Sequence, residues 1–252
     1  MNKINLKTAL LLLIPFVMIL AYSCHKDNDE KPILETGTVT DVDSNVYKTV
    51  KIGNKWWMAE NLRTKRYANG DTIEFISAHL ADTVWSHKTK GAYCVIDNTI
   101  DSSNLFGYLY NFYAVADSRK LAPAGWHIPS DDEWKVLEMF LGMSQAQADS
   151  NNWRGYDQGN KLKIVGGSAS YWMKSDDVYT IFGNNQSGFT ALGGACRVFD
   201  GQWGDLTHTA FWWTSTTKDA NAWYRSLDYN KPNVFRYYGP KTYGFSVRCV
   251  KD

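Results

Sequence analysis

Between Ser130 and Gly142 the chain reads SDDEWKVLEMFLG, and no other stretch carries so strong a helical signal. Ser130 and Glu133 form a capping box: the Ser oxygen takes a free backbone N–H, and the Glu carboxylate reaches back to the cap. Asp131 and Asp132 fall in the first turn, where the helix dipole favours negative charge. Trp134, Leu137 and Leu141 then recur at helical spacing, and Gly142 ends the run. Ser144 and Gln147 repeat the box, so a second short helix is expected next. Strands are expected on both sides of these helices, which makes the predicted fold class α+β.

Residues 37–62 read as a β-meander opening the domain. Val39, Val42, Val46, Val50 and Ile52 are β-formers, and Asp43-Ser44-Asn45 and Gly53-Asn54 supply turns between them. Residues 97–104 are polar and Asx-rich, which predicts a loop. They lack the Gly and distal Glu of an EF-hand loop. Residues 105–116, LFGYLYNFYAVA, are apolar and aromatic enough to be buried as helix or strand. From 151 to about 210 the chain is rich in Gly, Asn and Ser, with Trp153, Trp172 and Trp203 scattered through it. That composition predicts a long, loop-dominated region pinned by aromatics, and such loops are usually functional. The segments FWWTST, NAWYRSLDY, NVFRYY and YGFSVRCV close the chain as strands. No internal repeat or second domain boundary shows.

The N-terminus carries an address. Lys3 and Lys7 precede the apolar run from Ala9 to Ala21. Thirteen residues reach only about 20 Å as a helix, short of the roughly 30 Å of a bilayer core. Residues 1–23 therefore read as a signal peptide. The run ends Leu20-Ala21-Tyr22-Ser23-Cys24, a small residue before a cysteine, as at a bacterial lipoprotein cleavage site, with Tyr22 a departure from it. Cys24 is the expected lipidation site, and residues 24–36 the lipidated Cys with a flexible tether. The domain is expected over 37–252. The predicted location is the outer membrane, through the lipid anchor only; the Lys and acids after Cys24 resemble a lipoprotein surface-export signal, which would imply surface exposure.

Net charge is +1 and no dense basic tract appears, which argues against nucleic-acid partners. Aromatic residues make up 15% of the chain, enough both to fill a core and to leave faces for sugars or peptides. Cys94, Cys196 and Cys249 remain besides Cys24. An exported chain permits one bridge among them, and no CxxC spacing suggests zinc.

Several blocks together resemble the Fibrobacter succinogenes major paralogous domain: VYKTVKIGNKWWMAENL (46–62), GYLYNFYAV (107–115), APAGWHIPSDDEW (122–134), WRGYDQGNKLK (153–163), SGFTALGG (187–194), FWWTST (211–216), NAWYRSLDYN (221–230) and YGFSVRCVKD (243–252). The resemblance implies a C-type-lectin-like domain related to the formylglycine-generating-enzyme fold: small twisted antiparallel sheets, one or two helices and long loops. It implies a surface-anchored protein of Bacteroidetes type and supplies no established activity. Many relatives carry Cys where this chain has Ala122, as partner for Cys249. Here the resemblance makes Cys94 the expected mate, with Cys196 as the alternative. The catalytic cysteines of formylglycine-generating enzymes have no match, so the fold analogy lends that activity no support.

His127, with no other His or Cys at ligand spacing, is expected to be packed or hydrogen-bonded. The acids after it are explained by the helix start. Trp56, Trp57, Trp126, Trp134 and Trp213 are expected in the core. The predicted ligand-binding residues are Trp153, Trp172, Asn184, Asn185, Trp203, Asp205, Trp223, Tyr224 and Asp228, with Asp200 and Gln202 as further hydrogen-bonding groups. Sugar rings stack on aromatic faces while Asn and Asp bond their hydroxyls. The calcium motifs of sugar-binding lectins are absent, so no cofactor is expected. The expected function is a non-catalytic module binding a glycan or a surface protein. The alternative is a structural envelope lipoprotein that docks a partner, and an enzyme ranks third.

Overall fold

Asp41 shapes the first hairpin. Its Oδ1 accepts from the backbone N–H groups of Asp43 and Asn45, both at 2.9 Å. Its Oδ2 accepts from Asn45 Nδ2 at 2.9 Å and from the Tyr47 hydroxyl at 2.6 Å. The computed structural model describes residues 33–77, 82–96, 100–165, 172, 183–198, 203–204 and 206–252. In it this turn joins β1 (Thr36–Thr40) to β2 (Val46–Ile52). Gly53, at φ +61°, then turns β2 back into β3 (Lys55–Met58), a left-handed position that glycine adopts without strain. The opening meander is as expected.

The chain continues through β4 (Glu74–Phe75), α1 (Asp82–Ser86), β5 (Ala92–Val95), α2 (Ile100–Phe106), β6 (Tyr108–Tyr110), α3 (Phe112–Val115) and β7 (Trp126–His127). Next come α4 (Asp131–Phe140), α5 (Gln145–Asp149), β8 (Asn152–Arg154) and α6 (Gln158–Leu162). The last elements are β9 (Cys196–Arg197), β10 (Trp203–Gly204), β11 (Thr209–Lys218), β12 (Asn221–Asp228), β13 (Val234–Pro240) and β14 (Val250–Lys251). Among the described residues four sheets result, ordered β1-β2-β3-β14-β7, β11-β12-β13-β8, β4-β5-β6 and β10-β9. Among these strands every pairing within a sheet is antiparallel except β4 with β5. The fold is α+β, built on small antiparallel sheets.

Three expectations need correction. One or two helices were expected, and the described residues hold six. Beyond α4 and the expected α5, the other four are 4 to 7 residues long. Runs that short carry too little periodicity to read, and side chains held by tertiary contacts stabilise them instead. Asn111, fully buried, caps α3 through Ala114 N–H while its amide also grips Lys90 O and Ala92 N–H. The Asx-rich stretch 97–104 enters α2 from Ile100 onward. The loop-dominated region after residue 151 contains β8 and α6.

Helix α4 forms as expected. Both halves of its capping box are present, Ser130 Oγ accepting from Glu133 N and Glu133 Oε2 from Ser130 N at 2.9 Å. The Ser144–Gln147 box of α5 is likewise complete. Trp134 of α4 lies 5.2 Å from Trp57, 5.6 Å from Phe189 and 6.3 Å from Trp212 by ring centroid, so four aromatics from separate segments meet around one helix. Two further buried clusters complete the core. One gathers around Tyr110, Trp213 and Phe245, the other around Trp85, Cys94 and Leu109.

The same buried face of α4 is charged along one edge. Arg225 bonds Asp131 Oδ1 and Glu138 Oε1, both at 2.7 Å. Arg236 grips Asp131 in a two-point contact at 2.9 and 2.7 Å. Arg154 bonds the second oxygen of Glu138. All five side chains are nearly solvent-free. Arg225, Arg236 and Arg154 come from β12, β13 and β8, so this network bolts the helix to the four-stranded sheet. Burial opposes ionisation of Asp131, yet the two guanidinium groups win and hold its carboxyl well below the usual carboxylate range.

Candidate functional site

The cluster around His127 is bonded rather than reactive. His127 Nδ1 lies 2.6 Å from Asp252 Oδ1, and Nε2 lies 2.9 Å from Glu133 Oε1. Burial would lower the imidazole pKa, but the bonds to the two carboxylates raise it on balance. The His127 ring joins β7, the end of the sheet and the start of α4. Among the described residues no three His, Cys, Asp or Glu side chains are grouped to hold a metal.

The structure separates the expected ligand-binding residues. Trp172 is buried, 6% exposed, with its Nε1–H donating to Ala191 O at 3.0 Å and Lys163 over its ring at 5.4 Å. Its face is unavailable to a ligand, because the loop aromatic found a backbone acceptor inside the core. Asn185, at φ +48°, uses its amide on Thr190, and Asn184 Oδ1 accepts from Gln186 N, so both hold a turn. Asp228 closes a turn by accepting from Asn230 N at 2.9 Å. Its carbonyl, with that of Lys231, also takes the buried Lys163 ammonium, whose pKa burial lowers to about 8. Trp203 belongs to β10, paired with Arg197. Asp200, Gln202 and Asp205 lie outside the described residues, as do Cys24, the signal segment and residues 24–32 of the tether.

Trp223 and Tyr224 cannot share one site. They are neighbours on β12, and neighbouring residues on a strand point to opposite faces. Trp223 lies on the side of the arginine network, with the Arg236 guanidinium 3.7 Å from its ring centre. Tyr224 lies on the opposite face, in register with Trp213 and Tyr237.

That face carries a continuous aromatic row. Phe245 stacks on Phe211 at 4.9 Å and touches Tyr224 at 5.0 Å. Tyr224 meets Phe235 at 6.2 Å, and Phe235 meets both Trp153 at 5.1 Å and Tyr237 at 6.0 Å. Burial is graded along it. Phe245 is 2% exposed, the middle rings are half-buried, and Trp153 on the edge strand β8 is 36% exposed. Of the expected residues, Trp153 and Tyr224 thus meet at one surface. Phe235 and Tyr237 were missed, although their alternation along NVFRYY and the register with β8 are the signal that would find them.

The expected Cys94–Cys249 bridge does not form. Cys94, Cys196 and Cys249 are all buried thiols. Cys94 packs with Trp85 and Leu109, whereas Cys249 packs in the cluster around Tyr110 and Phe245, so the side chains belong to different parts of the core. Burial pushes the Cys94 thiol up to about 12 and the Cys249 thiol higher still.

An α+β domain of small antiparallel sheets, one of them presenting a graded aromatic face, is the class that fold and surface define. The chain belongs to the Fibrobacter succinogenes major domain family, which matches residues 50–251. No curated protein matches the chain, and no solved structure does. Among the described residues no helix is long and apolar enough to cross a membrane.

Proposed function

We propose that this protein is a non-catalytic binding module of C-type-lectin-like arrangement, exported and anchored through lipid on Cys24, that recognises a glycan on the aromatic face of β11-β12-β13-β8. The observation that carries this reading is the half-exposed row Tyr224, Phe235, Tyr237 and Trp153 on one sheet face. Aromatic rings give large contact area at low entropic cost, and the tyrosine hydroxyls add hydrogen bonds. A row of four rings matches successive sugar units better than a single small ligand.

A glycan array with the purified protein tests the reading, followed by Trp153→Ala and Tyr237→Ala. Either substitution is expected to weaken binding about tenfold, which corresponds to about 1.4 kcal/mol. Trp172→Ala should instead lower stability without a specific loss of affinity in the remaining folded protein. Absence of any glycan ligand, or binding unchanged in both row variants, would remove the proposal.

A further inference from the structure

The outward side of α4 leaves two large apolar side chains in solvent. Val136 is 57% exposed and Phe140, one turn later on the same side, is 63% exposed. Helix propensity does not explain them, because Val and Phe are poorer helix formers than Glu or Lys at an exposed position. Single exposed apolar residues are ordinary, but two on successive turns beside an apolar hollow mark an interaction surface. The hollow is a pocket of about 400 Å³ between α4 and the β2–β3 turn, lined by Ile52, Trp57 and Leu137 as well as these two. The Phe140 ring lies over that turn, since a Cβ on Gly53 would stand 3.2 Å from it.

What covers this side follows from where the chain enters the domain. Lys51 N–H donates to Glu35 O at 2.9 Å and the two side chains pair at 2.8 Å, two residues after the fully exposed Ile33. From Lys51, β2 runs directly into the Gly53 turn beneath Phe140. Residues 24–32 separate Ile33 from Cys24, and nine residues span at most about 30 Å even when extended. Lipid on Cys24 therefore keeps the entry point within that reach of a bilayer. The charges beside the turn are balanced, Lys51 against Glu35 and Lys55 against Glu133 at 3.8 Å. An apolar surface with a neutral rim suits the bilayer interface better than an acidic or basic partner. The orientation also fits the aromatic row. Arg225 and Arg236 reach α4 from one face of the four-stranded sheet, and their strand neighbours Tyr224 and Tyr237 project from the other.

From the exposed Val136 and Phe140 beside the point of chain entry we infer that the outward side of α4 is a second membrane contact, seated in the interfacial layer of the phospholipid bilayer that holds the anchor. The inference rests on the lipid at Cys24 proposed above. The anchor supplies attachment and the α4 contact supplies orientation. Phe140 enters the interface, the β2–β3 turn rests on the headgroups, and the aromatic row points away from the bilayer toward its ligand.

The full-length protein, purified with its lipid and placed in phosphatidylcholine vesicles, tests the inference through an environment-sensitive fluorophore on Val136→Cys. The comparison is the same label on Val84→Cys, an exposed position of α1, whose Trp85 packs in a different core cluster from α4. Lipids carrying a nitroxide should quench the label at 136 by about half and leave that at 84 unchanged. Adding Phe140→Asp should remove most of the quenching at 136 with an unchanged melting temperature, which loss of a merely structural ring would not do. Mass spectrometry of the same sample separates the two readings. An unmodified Cys24 removes the anchor and the inference together, whereas a lipidated protein quenched equally at both positions overturns the inference alone. A blue shift at 136 that grows with protein concentration and ignores the nitroxide lipids would assign the surface to a second copy of the chain, and would equally overturn the membrane contact.

Discussion

One imidazole, that of His127, joins β7, Asp252 and the first turn of α4. Its pKa is raised in the folded protein, the two carboxylates outweighing burial. The stability it contributes is therefore fully present below the unfolded value of about 6.5 and is lost as pH rises through the folded value. Lys55, 3.8 Å from Glu133, supports the same carboxylate. His127→Gln should accordingly lower the melting temperature most at pH 5.5–6 and progressively less toward pH 8, as thermal scans across that range would show. A difference that grows with pH would mean that the imidazole is neutral in the fold. The sequence suggested a bonded histidine here. It could not name Asp252, because the partner lies 125 residues away.

At the scale of elements, α4 combines a local and a distant contribution. Its cap was legible because every atom of the box lies within four residues. Ser130→Ala removes that bond and should cost about 1 kcal/mol in urea unfolding. The arginine network behaves differently. Arg225→Ala leaves Asp131 and Glu138 short of a buried partner and should cost about 3–5 kcal/mol, far more than the cap. Equal losses for the two variants would contradict the burial of the network. Asp131 looked like an ordinary first-turn acid in the sequence, and its grip on Arg225 and Arg236 depends on strands about 100 residues later in the chain. The short helices escaped sequence reading for a related reason: α3 exists because buried Asn111 caps it, not because its four residues favour a helix.

For the molecule as a whole, the cysteines offer a readout of cooperativity. Cys94 lies in one core cluster, Cys196 and Cys249 in another, and all three are buried. Without denaturant they should resist maleimide, and all three should react together across one urea transition, as mass spectrometry of the alkylated protein would record. Rapid native labelling of Cys94 alone would show instead that the β4-β5-β6 sheet opens by itself.

The sequence by itself determined the α+β class, the opening meander, both capping boxes and the family blocks, since these rest on neighbours within a few residues or on a fixed order of motifs. It also marked Trp153 and Tyr224. Tertiary structure alone decided which aromatics are surface and which are core. Trp172 and Trp153 stand in similar loop-like sequence, yet one donates to a backbone carbonyl inside the protein and the other ends a row on an edge strand. It also divided Trp223 from Tyr224 and left Cys94 and Cys249 unbridged. A ring's exposure depends on which distant strand lies over it, and no local pattern encodes that.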